Sequence, residues 1–264
     1  MKSSIYFINP AADFPTYFNA ENYEARGFRR ATQMADLAIP TLAAMASSAM
    51  DVSLCDENIE PVNYDSGAEF VGITGKITQF GRMVAIAKEF RARGKKIVIV
   101  GLSPEMVRPY CDVLVRGEIE DIADQIFADL ASGNWKDEYV GGKPGLDKSP
   151  VPRWSLYPND RAVMATLQTS RGCPFECEFC DVIQYAGRKQ RHKEPAQVLR
   201  ELDTLYAFGY RSVFLADDNF TAYRSRAREL LQALRAWNLR QTNGKVAFLT
   251  QVSIDAARDE ALLS

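Results

Sequence analysis

Histidine is almost absent from this chain, because His192 is the only one among 264 residues. Cysteine is also scarce, with five residues in total, yet three of them, Cys173, Cys177 and Cys180, fall within one short stretch. A metal site that needs several imidazole ligands is therefore excluded, and thiolates are the first candidates for any metal centre.

The chain has no excess of charge of either sign. Lysine and arginine number 32 against 34 for aspartate and glutamate, so the formal net charge is -2. A chain this close to neutral carries no electrostatic footprint for DNA, RNA or an anionic membrane. We therefore expect no nucleic-acid partner.

Long hydrophobic runs are missing as well. No apolar stretch approaches the about 20 residues that cross a bilayer, and the apolar part of the amino terminus, MKSSIYFINP, is too short for a signal peptide. We expect a chain without a transmembrane segment that works in the cytoplasm, where free thiols stay reduced.

What the sequence does contain is enough apolar material, 47%, for one or two sizeable cores. The first half, 1–135, alternates short apolar strands with helical periodicity. The strands are expected at 4–9, 51–55, 70–74, 96–100 and 111–115. This alternation predicts an α/β domain with a parallel, doubly wound, Rossmann-like (flavodoxin-like) sheet.

Sheets of this kind bind ligands at the carboxyl ends of their strands. The residues expected there are small or polar, and they let a ligand approach the backbone closely. They are Asn9, Thr74, Gly75, Gly101, Ser103, Gly117 and Glu118. The alternative is that each of them belongs to an ordinary turn.

Residues 136–162 are rich in glycine, proline and charge and lack apolar periodicity, which predicts a linker. Within it, Trp154 and Tyr157 are expected to pack on a domain surface. The second half, 163–264, again alternates strands, at 163–168, 212–216 and 246–252, with helices. Repetition of this kind is typical of a (β/α) barrel, whose reactive residues gather at the carboxyl ends of the strands.

The stretch QTSRGCPFECEFCD, residues 168–181, places the three clustered cysteines in a C-x3-C-x2-C spacing. Gly172 and Pro174 keep this short loop out of regular structure, and three thiolates so close together favour an iron–sulfur cluster with one iron left open. A zinc site completed by His192 is the alternative, although the basic run at 188–193 opposes it. A disulfide would leave one thiol over.

The spacing of Cys173, Cys177, Phe179 and Cys180 matches C-x3-C-x-(aromatic)-C, the signature of radical S-adenosylmethionine (SAM) enzymes. The wider runs RGCPFECEFCDV, GRKQRHK and FLADDNF resemble the subgroup with an amino-terminal cobalamin-binding domain, which includes hopanoid methylases. The resemblance implies a 4Fe-4S cluster on the three cysteines. It also implies that 163–264 is only the first part of a partial TIM barrel.

The resemblance further implies which residues contact SAM. The Phe179 backbone would contact the adenine, while Asp217 or Asp218, with Asn219, would accept hydrogen bonds from the ammonium group. Gln251 and Ser253, after the third strand, would reach the ribose or the carboxylate. As an alternative, Asp217 or Asn219 caps the helix that follows.

The cobalamin half departs from the wider cobalamin family in two ways. The D-x-H-x2-G motif is absent and this half contains no histidine, so cobalt would have no protein imidazole below it. Gly101-Leu102 stands where relatives tend to have paired glycines. Cys55 and Cys111, the two cysteines of this half, are expected to be small apolar residues that do not bind the cluster.

Taken with the resemblance, these residues predict a radical SAM enzyme that methylates an unactivated carbon with cobalamin. Such an enzyme acts on a small-molecule or lipid-like substrate and takes electrons from a donor such as flavodoxin or ferredoxin. The alternatives are cyclisation, rearrangement or another carbon-group transfer without methylcobalamin, or a non-catalytic metal-binding or redox-sensing module. Phe179 and residues 217–219 favour the enzyme, since a sensor needs neither.

Overall fold

The computed structural model describes residues 2–14, 32–101 and 104–263, without the side chains of residues 104, 261 and 263. The chain forms two compact units, one from Met1–Pro144 and Ser149–Val163 and the other from Gly145–Lys148 and Met164–Ser264. Each unit contains parallel strands alternating with helices, as the sequence pattern predicts.

The first unit is built on a parallel sheet of six strands. In chain order its strands are β1 Ser4–Asn9, β3 Asp51–Asp56, β4 Phe70–Thr74, β5 Lys96–Val100, β6 Val113–Arg116 and β7 Glu138–Val140, with the short β2 Thr32–Met34 outside this sheet. The five predicted strands are all present. The sixth, β7, lies inside 136–162 and pairs in parallel with β6, Arg116 opposite Val140.

The strands of this sheet lie in the order β3-β1-β4-β5-β6-β7, and the neighbouring pairs that are described run parallel. Counted within the sheet, this is the flavodoxin-like order with one strand added at the far edge. The order reverses between β1 and β4, where a doubly wound sheet has its ligand crevice. That crevice lies between Asn9 and Thr74, the last residues of the two strands.

Helices cover the sheet because each buries one apolar stripe. The described helices of the first unit are α1 Ala38–Ala46, α2 Phe80–Ala92, α3 Pro104–Val107 and α4 Ala123–Ser132. In α2 the buried residues Met83, Ile86, Ala87 and Phe90 recur every three or four positions. Full burial of each larger side chain contributes roughly 1.5–3 kcal/mol.

The second unit contains three parallel strands with helices between them. Its elements are β8 Ala162–Leu167, β9 Ser170–Arg171, α5 Val182–Tyr185, β10 Arg191–His192, α6 Pro195–Ala207, β11 Ser212–Leu215, α7 Arg224–Arg240, β12 Ala247–Thr250 and α8 Glu260–Leu263. β11 pairs in parallel with both β8 and β12. This is the alternation of parallel strands and helices that the sequence predicts for a (β/α) barrel.

The long helix α7 buries only one side, and most of its residues face solvent or are half-buried. It buries Ala227, Leu230, Leu234 and Trp237 along one stripe, whereas the neighbouring Leu231 is exposed. In the ranges that the structure describes, no helix is both long enough and apolar enough to cross a bilayer.

Candidate active site

The candidate site of the second unit is the loop between β9 and α5, which carries the three clustered cysteines. All three are free thiols. Cys173 is buried, Cys180 is half-buried and Cys177 is exposed. The loop therefore has a buried beginning and an open middle.

Gly172 fixes the beginning of the loop. Its φ is +99°, in the region that favours glycine. A Cβ there would lie 2.7 Å from the carbonyl oxygen of Lys189 and 3.0 Å from that of Gly187. The next residue, Cys173, donates its backbone N–H to the same Gly187 carbonyl at 3.1 Å. A side chain at position 172 would push this pairing apart.

Asp217, two residues past the end of β11, holds the segment just before Gly172. Its Oδ1 accepts the backbone N–H groups of Thr169 at 2.6 Å and Ser170 at 2.9 Å. Its Oδ2 accepts the Thr169 hydroxyl. Burial raises the pKa of Asp217, while these hydrogen bonds act in the opposite direction. The side chain is only 2% exposed.

Asp218 adds a third contact of the same kind, since its Oδ2 accepts the backbone N–H of Gly172 at 2.7 Å. The helix-cap alternative is thus met only in part. Asn219 does bind a following amide, that of Thr221 at 3.2 Å, whereas the contacts of Asp217 reach back to residues 169 and 170.

The ends of β11 and β12 are joined by polar contacts. The Asn219 side-chain amide donates to the Ser253 hydroxyl at 3.1 Å, and the Gln251 carbonyl accepts the backbone N–H of Phe220 at 2.9 Å. Asn219, Gln251 and Ser253 are therefore brought together as predicted for one site. The Gln251 side chain is exposed, and so is Phe179, at 92%.

The basic run at 188–193 belongs to a small antiparallel pair, β9 with β10, in which Ser170 lies opposite His192. Lys193 is buried and donates to both carboxylate oxygens of Glu201, at 2.6 and 2.8 Å. The pKa of His192 is lowered, mainly by burial and then by Arg226. The end of the run, 190–193, is thus packed into its unit, whereas Arg188 and Lys189 at its beginning are exposed.

Sequence reasoning missed the partners of the acidic residues and the buried Lys193–Glu201 pair. Gln190, also missed, is buried and donates to the Asn219 carbonyl at 2.8 Å, and its Oε1 has no hydrogen-bond partner within the described ranges. The sequence did offer one indication. Thr169 and Ser170 follow a buried strand, at a place where backbone N–H groups need hydrogen-bond acceptors from elsewhere in the chain.

In the first unit, the carboxyl ends of β1 and β3 are closed by side chains. Asn9 donates to Asp56 at 3.1 Å and accepts from Gln79 at 3.0 Å. Asp56 also accepts the hydroxyl of Tyr157 at 2.6 Å. Tyr157 is therefore packed on the first unit, as predicted. Its hydroxyl in turn accepts the backbone N–H of Asp36 at 3.0 Å.

Gln79 also occupies the space beside Gly75, because a Cβ at Gly75 would lie 3.0 Å from Gln79 Oε1 and 3.0 Å from the sulfur of Met83. The switch-point crevice between β1 and β4 is thus bridged by a side chain of the same unit. The close approach that we predicted for a ligand at Asn9 and Gly75 is made here by Gln79.

Gly117 has a similar internal function. Its φ is +76°, and a Cβ there would lie 2.4 Å from the Gly141 carbonyl oxygen. A Cβ at Gly141 would in turn meet the Glu118 carbonyl. Because neither glycine has a side chain, the backbone that follows β6 can pass close to the backbone that follows β7.

Gly101 differs from the other edge glycines. Its φ is +99°, yet a Cβ would meet no atom within 4 Å among the residues that the structure describes. Thr74, half-buried, lies opposite Val100 in the adjoining strands, so Thr74 and Gly101 border the same part of the edge. Ser103, the remaining predicted contact, lies outside the described residues.

Cys55 and Cys111 lie in the first unit and are both buried. Burial raises the pKa of Cys55 to about 12 and also raises that of Cys111. Thiols in such surroundings are inert small apolar groups, because the reactive thiolate form is disfavoured.

Residues 167–262 match the Radical SAM superfamily. The chain contains a radical SAM domain. It is 35% identical over 263 residues to an uncharacterized methyltransferase of Synechocystis sp., covering 94% of this chain and 48% of that protein. It is 29% identical over 233 residues to the hopanoid C-2 methylase of Rhodopseudomonas palustris, covering 84% and 44%. The chain therefore spans about half the length of these curated relatives.

A solved structure shares the fold of the radical SAM domain and the unit before it. This is the cobalamin-dependent SAM radical enzyme OxsB with aqua-cobalamin and SAM bound. The TM-score is 0.70 at 17% identity, over 93% of this chain and 38% of that chain.

The cysteine loop of the radical SAM domain fits a cluster better than it fits a single ion. Among the described residues, no three His, Cys, Asp or Glu side chains are placed around one point where a single metal ion would lie. A cluster makes a different demand, because separate thiolates bind separate irons. The pKa of Cys173 is raised mainly by burial and further by the nearby Asp218, Cys180 and Cys177, so Cys173 lies near enough to each of the other two thiols to interact with it.

Proposed function

We propose that Cys173, Cys177 and Cys180 bind a 4Fe-4S cluster that acts on SAM, and that the protein containing this chain methylates an unactivated carbon with the help of cobalamin. The observation that carries the proposal is a loop of three free thiols inside a radical SAM domain. The backbone at its beginning is fixed, because Cys173 donates to the Gly187 carbonyl while the preceding residues Thr169 and Gly172 donate to Asp217 and Asp218.

When bound, the cluster supplies the electron that cleaves the sulfonium of SAM, and cobalamin supplies the methyl group. The protein's own residues bind and orient. The three thiolates would hold the cluster and leave one iron open to SAM, and the adenine would lie against the Phe179 backbone, between Cys177 and Cys180 in the sequence. We assign the ammonium group of SAM to the carboxylate of Asp218, which lies beside the cysteine loop through its hydrogen bond from Gly172.

The joined strand ends complete the proposed SAM site. Asn219 orients Ser253 through their 3.1 Å hydrogen bond, and Gln251 reaches solvent beside them. We therefore assign the ribose or carboxylate of SAM to Gln251 and Ser253. The remaining residue predicted to contact SAM, Asp217, instead accepts three hydrogen bonds from Thr169 and Ser170.

For cobalamin we propose the part of the first sheet's edge at Thr74 and Gly101, because open space remains beside Gly101. Gly117 and Glu118 form the turn after β6 on one side of this edge. On the other side, Asn9 and Gly75 both contact Gln79. These residues fit a group held by backbone and small side chains. With no histidine in the unit, cobalt would have no protein imidazole ligand.

Methylation is favoured over other radical outcomes by the names of the relatives, two of which are methyltransferases or methylases. We further propose a small-molecule or lipid-like substrate, an electron donor of the flavodoxin or ferredoxin kind, and a cytoplasmic location. The free cysteine thiols and an oxygen-sensitive cluster suit a reducing compartment.

The test is anaerobic reconstitution of the full chain with iron and sulfide, followed by addition of SAM and a strong reductant. We expect a brown protein that forms 5'-deoxyadenosine. A brown protein with no 5'-deoxyadenosine and no spectral response to SAM would instead support the redox-module alternative. A colourless protein that retains zinc would overturn the proposal.

A further inference from the structure

The segment 169–172 is held from two sides. On one side its backbone N–H groups point at the acidic strand end, with Thr169 and Ser170 on Asp217 and Gly172 on Asp218. On the other side the Thr169 carbonyl accepts the backbone N–H of Lys193 at 2.9 Å. The donors of this segment therefore depend on two carboxylates more than forty residues later in the chain.

Asp217 has little capacity left for a ligand. An ionised carboxylate offers about four acceptor positions, and three are taken by the two backbone N–H groups and the Thr169 hydroxyl. Because the side chain is only 2% exposed, a ligand has no open approach to the remainder. A strand-end acid that bound the ammonium of SAM directly would need an accessible oxygen.

We propose that Asp217 is a positioning residue for the iron–sulfur cluster. By holding the backbone of Thr169 and Ser170, it sets where the following residues Gly172 and Cys173 lie. Asp218 supports the same segment through Gly172. This inference rests on the proposed function, since it assumes that Cys173 binds the cluster.

The chemistry of asparagine supplies a sharp test. In Asp217→Asn the side-chain oxygen can still accept both backbone N–H groups, while the new NH2 group donates to the Thr169 hydroxyl. All three contacts survive without the charge. In Asp217→Ala all three are lost and two buried N–H groups lose their acceptor, which is costly. An ammonium ligand, in contrast, would need the charge.

The full chain and both variants are reconstituted anaerobically, and the release of iron to a chelator is timed. Electron paramagnetic resonance of the reduced cluster is recorded with and without SAM. We expect Asp217→Ala to release iron about tenfold faster than the unsubstituted chain. Asp217→Asn should stay within about twofold and keep the spectral change on addition of SAM. If both variants kept iron normally and both lost the SAM-induced change, Asp217 would be a SAM ligand and the inference would be overturned.

Asp259→Ala is the matched control, because Asp259 is another buried aspartate of the radical SAM domain whose carboxylate binds Arg224 and Arg228. It should release iron at the normal rate. Should Asp217→Ala fail to fold, Thr169→Val decides the matter, since it removes only the hydroxyl contact and should release iron about two- to threefold faster. Normal release by that variant would count against the inference. If the unsubstituted chain took up no cluster, the proposed function would fail first.

Discussion

The carboxyl edges of the two parallel sheets carry similar residues and use them differently. In the first unit, Asn9 donates a hydrogen bond to Asp56 and accepts one from Gln79. In the second unit, Asp217 and Asp218 bond the backbone of a loop that carries three free thiols. Parallel topology brings polar residues to an edge in both cases. Whether they bind a ligand, hold a loop or satisfy each other depends on which partners the fold brings within reach.

The largest expected effect is the loss of the iron–sulfur cluster when a clustered cysteine is replaced. The clustered thiols are the clearest difference between the two sheet edges. Cys173→Ala should abolish cluster assembly, because three thiolates are the minimum set for this loop. Iron, sulfide and visible absorbance after anaerobic reconstitution measure the result. Cys55→Ala, in the first unit, is the control and should retain full iron content. Normal iron in Cys173→Ala would remove the cluster assignment.

The two glycines at φ +99°, Gly172 and Gly101, give the second comparison. Alanine at either position pays a conformational cost of about 1–2 kcal/mol. At position 172 its Cβ would also lie 2.7 Å from a backbone oxygen, whereas at position 101 it meets nothing within 4 Å. We therefore expect Gly172→Ala to destabilise its unit by about 3 kcal/mol or more and to impair cluster binding.

Hydrogen exchange of peptides covering each glycine measures these effects in the full chain. Gly101→Ala should show only the smaller loss and should leave iron content unchanged. Equal effects at the two positions would mean that the contact with Lys189 does not constrain the cysteine loop.

The third prediction concerns pH and the closed network of the first unit. Burial, and then the charge of Asp56, raise the pKa of Asp36 to about 6 from a usual value of 3.8. The folded state therefore holds a proton that the unfolded state has lost between these values, so stability falls as pH rises from about 4 to 6. Asp36→Asn should flatten this fall by up to about 1.4 kcal/mol per pH unit.

Urea unfolding of the full chain between pH 4 and pH 8 measures that slope. Asp203→Asn is a suitable control, since Asp203 lies in the second unit and accepts the indole N–H of Trp237 at 2.7 Å. It should leave the slope intact. A variant at position 36 with an unchanged slope would show that Asp36 does not titrate with a raised pKa.

The last prediction is that a substitution leaves a spectrum unchanged. It tests whether the carboxyl edge of the first unit's sheet binds cobalamin without a protein histidine. Electron paramagnetic resonance of Co(II) cobalamin bound to the chain should show no nitrogen splitting from a protein imidazole, because His192, the only histidine, lies in the second unit. His192→Gln should leave the spectrum the same. Imidazole splitting would refute the histidine-free assignment, and failure to retain any corrinoid would indicate an edge closed to ligands.

Much of the fold could be predicted because it rests on local pattern. Short apolar runs such as Lys96–Val100 are typical of central strands in a parallel sheet, because such strands are buried on both faces. In the structure this run forms the strand β5. β7 could not be predicted in the same way. Its three residues have no apolar pattern of their own, and their place is set by backbone pairing with β6 and by the close passage of Gly117 and Gly141.

The resemblance to radical SAM enzymes could be recognised from the sequence alone, because Cys173, Cys177, Phe179 and Cys180 carry the family signature within one short stretch and no distant residue is needed to see it. The roles of Asp217 and Gln79 were decided only by the tertiary structure. A carboxylate at a strand end carries no mark of its partner. Its function depends on whether unsatisfied backbone N–H groups, here those of Thr169 and Ser170, are folded against it before any ligand arrives.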